Sequence, residues 1–197
     1  MTQSPGRPLE FDPDAALDAA MHVFWRKGYE HTSMQDLLDA MGLSKSSLYQ
    51  AFGGKQALFE RCMTHYGDEM IGGLRAALQT SPSGLGFIRR FLESVLDEAR
   101  GVCEAKGCLV LNTANEFARR NPQIAQAVAQ GLNRFHEVLR AAVMRAQQEG
   151  DIEANRDAAM LATYLVSSMS GLKTLSKAGA GESTLQGVIE LTLRGLK

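Results

Sequence analysis

Ser33-Met34-Gln35-Asp36-Leu37-Leu38-Asp39-Ala40-Met41-Gly42-Leu43-Ser44-Lys45-Ser46-Ser47-Leu48-Tyr49-Gln50-Ala51-Phe52-Gly53-Gly54 reads as two short helices with a tight turn between them. Ser33 and Asp36 have the spacing of a capping box with an acidic third residue. Met34, Leu37, Leu38 and Met41 recur with the helical period and form the buried stripe of the first helix. Gly42 breaks it, Leu43 tucks into the core, and Ser44 caps a second helix. In that helix Leu48, Ala51 and Phe52 point inward, while Lys45, Ser46, Ser47, Tyr49 and Gln50 stay on the other side. The layout is that of a helix-turn-helix. A helix that enters a DNA groove must be short and anchored from behind by apolar residues. Its leading turn must present small polar groups and a cation, because larger side chains hold it away from the base edges. Lys55 adds a cation at the head of the next helix, where backbone N–H groups cluster and a phosphate finds a seat.

On the N-terminal side, residues 1–10 carry Pro5, Gly6 and Pro8 and read as a flexible arm. Asp12 is placed to cap a first helix, with Pro13 at its first position and Asp14 near the positive end of its dipole. Leu17, Ala20, Met21 and Phe24 form its apolar stripe, and Gly28 ends it. On the C-terminal side a long helix runs from Lys55 to about Gln79, bearing Leu58, Phe59, Cys62, Met63 and Tyr66, and Ser81-Pro82-Ser83-Gly84 interrupts the chain. Helical periodicity then predicts segments at 85–105, 108–120, 122–149, 157–178 and 183–195. No alternating strand pattern competes. The expectation is an all-α fold of about nine helices: an arm over 1–10, a helix-turn-helix domain over 11–57 and a second helical domain over 58–197.

Composition narrows the function classes. Of 197 residues 45% are hydrophobic, enough for a core that needs no disulfides or metals, and 21 Lys and Arg balance 22 Asp and Glu, so bulk charge names no partner. The three cysteines, Cys62, Cys103 and Cys108, are too few and too unevenly spaced for a secreted disulfide framework. The N-terminus has no apolar stretch behind a basic head, and no apolar run approaches the length of a membrane span. A soluble, cytoplasmic protein without a membrane partner is expected.

Residues 15–59 resemble the DNA-binding domain of the TetR family. The matching text is Ala19-Ala20, Phe24, Gly28-Tyr29, Thr32-Ser33-Met34, Asp36-Leu37-Leu38, Ala40 through Tyr49, Phe52 and Lys55 to Phe59. The resemblance implies a homodimer bound to a double-stranded operator, with Tyr49 and Lys55 touching phosphates and Lys45 to Gln50 facing bases or backbone. Gly6-Arg7-Pro8 resembles the arm that some relatives lay along the minor groove. The DNA-binding candidates are therefore Arg7, Thr32, Ser33, Ser44, Lys45, Ser46, Ser47, Tyr49, Gln50 and Lys55. One feature resists: residues 1–61 hold six Lys and Arg against eight Asp and Glu. The binding face has to be locally positive on a domain that is not basic.

The same resemblance implies that residues 85–197 enclose a small-molecule pocket and that the last two helices form the dimer interface, with Leu161, Leu165, Leu172, Val188 and Ile189 as candidates. Lys106-Gly107-Cys108-Leu109-Val110-Leu111-Asn112 resembles a subgroup in which a Gly-Cys-Leu segment opens the sixth helix, a subgroup that includes regulators responding to electrophiles or oxidants. A thiol at a helix N-terminus beside Lys106 is favoured as the reactive thiolate, and Cys103 could act as a resolving thiol. The alternative is that Cys108 is a small buried hydrophobe. Asn112, Asn115, Glu116, Phe135 and Tyr164 are further pocket candidates. Cys103, Cys108 and His136 lack the close-spaced pairing of a zinc site, so neither a metal nor another cofactor is expected. The reading is a repressor released from a palindromic operator by a small-molecule or electrophile signal. Two others stand beside it: an architectural DNA-binding protein without an inducer, and a thiol-dependent enzyme using Cys108. The enzyme has against it that no His lies close in sequence and no Ser/His/Asp or Gly-rich phosphate signature occurs.

Overall fold

The computed structural model describes residues 11–100, 107–117 and 122–197. Among these residues there are nine α-helices and no strand: α1 (Pro13–Lys27), α2 (Met34–Met41), α3 (Lys45–Phe52), α4 (Lys55–Thr80), α5 (Gly84–Ala99), α6 (Leu109–Phe117), α7 (Pro122–Gln148), α8 (Ala158–Lys177) and α9 (Glu182–Arg194). The caps read from the sequence are in place. Asp12 Oδ1 accepts from the N–H groups of Asp14 and Ala15 at 3.0 and 3.4 Å. Ser33 and Asp36 form a reciprocal capping box, and Ser44 Oγ accepts from the Ser47 N–H at 3.1 Å. Gly42 turns the chain out of α2 at φ 64°, a left-handed conformation that side chains with a Cβ resist. The segment expected over 85–105 is helical to Ala99, where Arg100 closes it.

The chain divides into two compact units, with the boundary between His65 and Tyr66 inside α4. That is later than the boundary expected after residue 57. The reason is that Leu58, Phe59 and Cys62, on the first turns of α4, are buried in the core of the first unit with Leu17, Phe24, Leu37 and Leu48. Phe59 meets Phe24 edge-on at 4.9 Å between centroids and Tyr29 at 5.0 Å. Lys27 Nζ bonds Asp36 Oδ1 at 2.6 Å and so ties α1 to α2. With the Ser33 N–H and hydroxyl as further donors, this holds the Asp36 carboxyl down at about 2.

In the second unit α5 packs on α7, α8 and α9, and α7 also packs on α6 and α8. Ile88, Leu92 and Val95 of α5, Leu139, Ala142 and Val143 of α7, Leu165 and Leu172 of α8 and Leu185 and Ile189 of α9 are all within 0% exposure in its core. A polar knot fastens the α4–α5 turn to α7. The Arg145 guanidinium donates to the carbonyls of Leu78, Ser81 and Pro82 at 2.8–3.2 Å and to Glu149 Oε1 at 2.7 Å. Glu149 Oε2 in turn accepts from the Gly84 N–H at 2.6 Å.

This packing corrects the expected dimer seam. Leu161, Leu165, Leu172 and Ile189 are 5%, 0%, 0% and 0% exposed inside their own unit. Val188 is partly buried against the same core. The first four side chains have almost no surface left for a second subunit, while Val188 keeps part of its own. The large apolar side chains that α8 and α9 leave exposed are Met160, Tyr164, Leu175 and Leu191.

Gly84 makes the packing of α5 on α7 testable. A Cβ there would stand 2.5 Å from Ala146 N and 2.6 Å from Ala142 O, both backbone atoms, whereas one at Gly73 would meet nothing within 4 Å. Gly84→Ala should lower stability by about 1–3 kcal/mol through overpacking. Gly73→Ala should raise it by up to about 1 kcal/mol through helix propensity. Urea denaturation midpoints of the two variants check this; equal midpoints would mean that α5 and α7 are not in close backbone contact.

Candidate nucleic-acid interface

Helix α3 is held from behind and free in front. Leu48 and Phe52 are 0% and 4% exposed, while Lys45, Ser46, Tyr49 and Gln50 are exposed and Ser47 is half-buried. Ser44 caps the helix, and its Oγ lies 2.9 Å from Ser46 Oγ and 2.8 Å from Ser47 Oγ, so the leading turn presents a cluster of three small hydroxyls beside Lys45. The charge difficulty has a local resolution. Residues 40–59 contain Lys45 and Lys55 and no acidic residue at all. Several acids of this unit are engaged with neighbours: Asp12 caps α1, Asp36 binds Lys27 and Ser33, Asp18 lies 2.9 Å from His65 Nε2, Asp39 accepts from Gln35 and Glu60 accepts from Gln56.

A second anion-attracting feature lies at the junction of α3 and α4. Tyr49, Gly53, Gly54, Lys55, Gln56, Ala57 and Glu60 line a shallow concavity of about 390 Å³. Its floor is the N-terminus of α4, where first-turn N–H groups and the helix dipole favour a phosphate. Lys55 Nζ sits 4.3 Å over the Tyr29 ring centroid, a cation–π contact that orients the ammonium. The Tyr49 ring lies against Gly54, where a Cβ would approach Cε1 to 3.3 Å and φ is 121°, so glycine there is required on both counts. The two groups expected at phosphates, Tyr49 and Lys55, are thus brought to one place.

Two residues of the expected set are used differently. Thr32 is 1% exposed and its hydroxyl donates to the Gly28 carbonyl at 2.6 Å, so it braces the α1–α2 turn and has nothing left to offer a phosphate. Ser33 is exposed, but its side chain is committed to Asp36. Arg7 lies outside the described residues.

In the second unit, Cys108 stands at the N-terminus of α6, its carbonyl accepting from the Asn112 N–H at 2.8 Å, and its thiol is half-buried. The Tyr66 hydroxyl donates to Cys108 Sγ at 3.8 Å. Burial, and after it the neighbouring Cys108, push the Tyr66 phenol well above its ordinary range, so the donor stays protonated. Cys62 contrasts with it: 0% exposed, donating to the Leu17 carbonyl, its thiol pushed up to about 12 by burial. Cys103 and Lys106 lie outside the described residues, as does the side chain of Asn115. Asn112 and Glu116 are half-buried on α6. Two pocket candidates lie in different surroundings. Phe135 is a core residue, stacked edge-on against Phe91 at 5.5 Å, and Tyr164 is a surface residue 37% exposed. An ion pair without any sequence signal joins Lys173 of α8 to a nearly buried Glu98 of α5. Its partners are 75 positions apart and neither belongs to a motif.

Comparison with known proteins agrees with this architecture in both halves. The model for bacterial regulatory proteins of the tetR family matches residues 16–62, and that for the tetracyclin repressor-like C-terminal domain matches residues 84–190. The uncharacterized HTH-type transcriptional regulator YezE of Bacillus subtilis is 29% identical over 189 residues, covering 95% of this chain and 97% of its own. The HTH-type transcriptional repressor ComR of Escherichia coli is 28% identical over 193 residues, covering 98% and 92%. A cysteine-substituted form of the TetR family transcriptional regulator CifR, solved with 26-base-pair operator DNA, superposes with a TM-score of 0.81 at 31% identity, covering 97% of this chain and all of that one. With its helix-turn-helix and its helical C-terminal domain both matched, in the order in which the fold presents them, the chain belongs to the TetR family of bacterial transcriptional regulators.

Proposed function

We propose that the protein is a cytoplasmic, homodimeric repressor that acts by occupying a near-palindromic operator and catalyses no reaction, and that chemical modification of Cys108 releases it. The observation that carries the DNA-binding half is the acid-free surface of α3 with the Tyr49–Lys55 seat behind it. A two-fold dimer supplies two such helices, one to each half-site. Lys45, Ser46 and Gln50 read base edges or adjacent backbone, and Tyr49, Lys55 and the α4 N-terminus hold phosphates. CifR bound to operator DNA supports this reading, as does the repressor ComR.

Dimerisation falls to the outer face of α8 and α9, where Met160 and Leu191 are 64% and 66% exposed. The sensor reading rests on Cys108 alone among the cysteines the structure describes. This half-buried residue sits at a helix N-terminus, and its sulfur receives a hydrogen bond from Tyr66, a setting that supports nucleophilic reaction.

Three measurements test these assignments. Lys55→Ala should weaken binding to all DNA sequences and reduce the salt slope by about one unit per subunit, whereas Gln50→Ala should relax base preference with the slope unchanged. Identical losses and slopes would undo the division of roles. In sedimentation, Leu191→Glu should give folded monomers, since the charge is buried only on association, while Leu172→Glu should fail to fold because it places an unpaired charge in the subunit core. A folded monomer from the Leu172 variant would return the interface to the inner face. Finally, a small alkylating agent should modify Cys108 before Cys62 and lower operator affinity, and Cys108→Ser should keep DNA binding while losing the response. An unmodified Cys108 in the folded protein, read by mass spectrometry, would leave a non-covalent effector as the better explanation.

A further inference from the structure

Four helices of the 66–197 unit direct polar groups into its interior: Tyr66 on α4, Glu98 on the last turn of α5, Cys108 at the head of α6 and Lys173 on α8. The Glu98 carboxylate is 7% exposed and pairs with Lys173 through Oε1. Its charge is also felt at the Tyr66 hydroxyl, which places the ion pair in the neighbourhood of the Tyr66–Cys108 contact. The pairing uses only half of the carboxylate. Glu98 Oε2 is buried without a hydrogen-bond partner among the described residues, and so is Ser176 Oγ, one helical turn beyond Lys173 on the same side of α8. Buried polar atoms are almost always satisfied, and a carboxylate oxygen removed from water with no donor carries a full desolvation penalty. The same helix segments bury Val95, Leu109, Val110 and Leu172, so the polar atoms stand in apolar surroundings. A few convergent polar groups in an apolar interior are the ordinary make-up of a small-molecule site.

We propose that Glu98 Oε2 is the recognition point of a non-covalent effector, a small apolar molecule carrying an uncharged hydrogen-bond donor, specifically a hydroxyl. The charge balance selects that class. Lys173 already neutralises Glu98, so a second cation would leave a net buried charge, and an anion would face the carboxylate directly. A hydroxyl donates to Glu98 Oε2, whereas a group that only accepts cannot satisfy a carboxylate oxygen. The inference rests on the reading of this unit as the sensor, but it does not require Cys108 to react.

The test uses the full chain under reducing conditions and four probes that share one ring: benzyl alcohol, toluene, benzylammonium and benzoate. Methyl NMR titrations read their binding. Benzyl alcohol should shift the methyl signals of Val95 and Leu172 and bind about tenfold more tightly than toluene, the worth of one good hydrogen bond, with both ions weaker still. Replacing the ion pair by apolar side chains, Glu98→Leu with Lys173→Leu, leaves a buried site of similar volume and should erase the preference for the alcohol. Toluene binding as well as the alcohol, a preference that survives the double replacement, benzylammonium binding best, or no probe binding at all would each overturn the proposal. The four-probe ranking needs no variant, so a double replacement that fails to fold does not shield it. Alkylation of Cys108 on the same preparation reads the covalent mechanism separately, and either result can fail alone.

Discussion

The burial of Leu48 and Phe52 beneath α3 is the contact on which the rest of the first unit depends. An isolated eight-residue helix does not persist in water, because nucleation fixes several residues before any hydrogen bond is gained. What stabilises α3 is the apolar face it loses to the core formed by Phe24, Leu37, Leu58 and Phe59. That face also sets orientation. With positions 48 and 52 inward, helical geometry leaves 45, 46, 49 and 50 outward, and no further device is needed to present them. The caps at Ser33 and Ser44 and the left-handed turn at Gly42 then fix where each helix begins and ends. They trim the geometry that burial has already chosen.

Affinity for a polyanion does not require a basic domain. The first unit carries more acids than bases, yet within a Debye length of about 8–10 Å only the nearest charges count. The acids sit on α1, in the turn after it, on α2 and from Glu60 onward, and several turn to a neighbour in the unit: Asp36 to Lys27 and Ser33, Asp18 to His65, Asp39 to Gln35 and Glu60 to Gln56. The surface from Ala40 to Phe59 is left with two lysines, a cluster of hydroxyls and a helix N-terminus. A protein built this way draws its DNA affinity from few counterion releases and a larger share of specific contacts than a polybasic one.

How much of this was legible in the sequence follows from what each feature depends on. Caps, glycine turns and the inward residues Leu37, Met41, Leu48 and Phe52 are local, and the spacing of Ser33 with Asp36 or of Leu48 with Phe52 carries them, although Met34, Leu38 and Ala51 on the same stripes are only half-buried. The resemblance to a known family added the roles of Tyr49 and Lys55. Thr32 was misassigned because a hydroxyl beside a helix start looks the same in sequence whether it caps, binds phosphate or, as here, bonds the carbonyl of Gly28. The expected dimer seam meets a different ambiguity. Helix α8 is apolar on more than one side, so periodicity marks Leu161, Leu165 and Leu172 without saying which side meets the subunit's own core. Phe135 and Tyr164 share an aromatic character in the sequence, which does not distinguish the core position of the one from the surface position of the other. Glu98 and Lys173 were invisible, since an ion pair between distant helices exists only once the helices have packed.

The two units place opposite demands on their polar groups. In the first, nearly every described polar side chain near α3 either caps, braces or faces outward, and a site that must meet a rigid duplex gains from that preorganisation. In the second, the core around α5, α7, α8 and α9 is apolar and closely packed, down to the backbone approach at Gly84. Against that background an ion pair with a nearly buried Glu98 and two oxygens unsatisfied among the described residues are not what maximal stability would select, because apolar side chains of similar volume would serve as well or better. Signal reception gives such groups a reason to persist. A ligand or adduct shifts a two-state equilibrium only by its difference in affinity for the two states. Polar atoms that are strained or unsatisfied in one state and satisfied in the other create that difference with few contacts. On the proposed reading of this unit as the sensor, the stability forgone at Glu98 Oε2 is of the kind a sensor must hold in reserve, since a unit satisfied at every position would have nothing left for an effector to change.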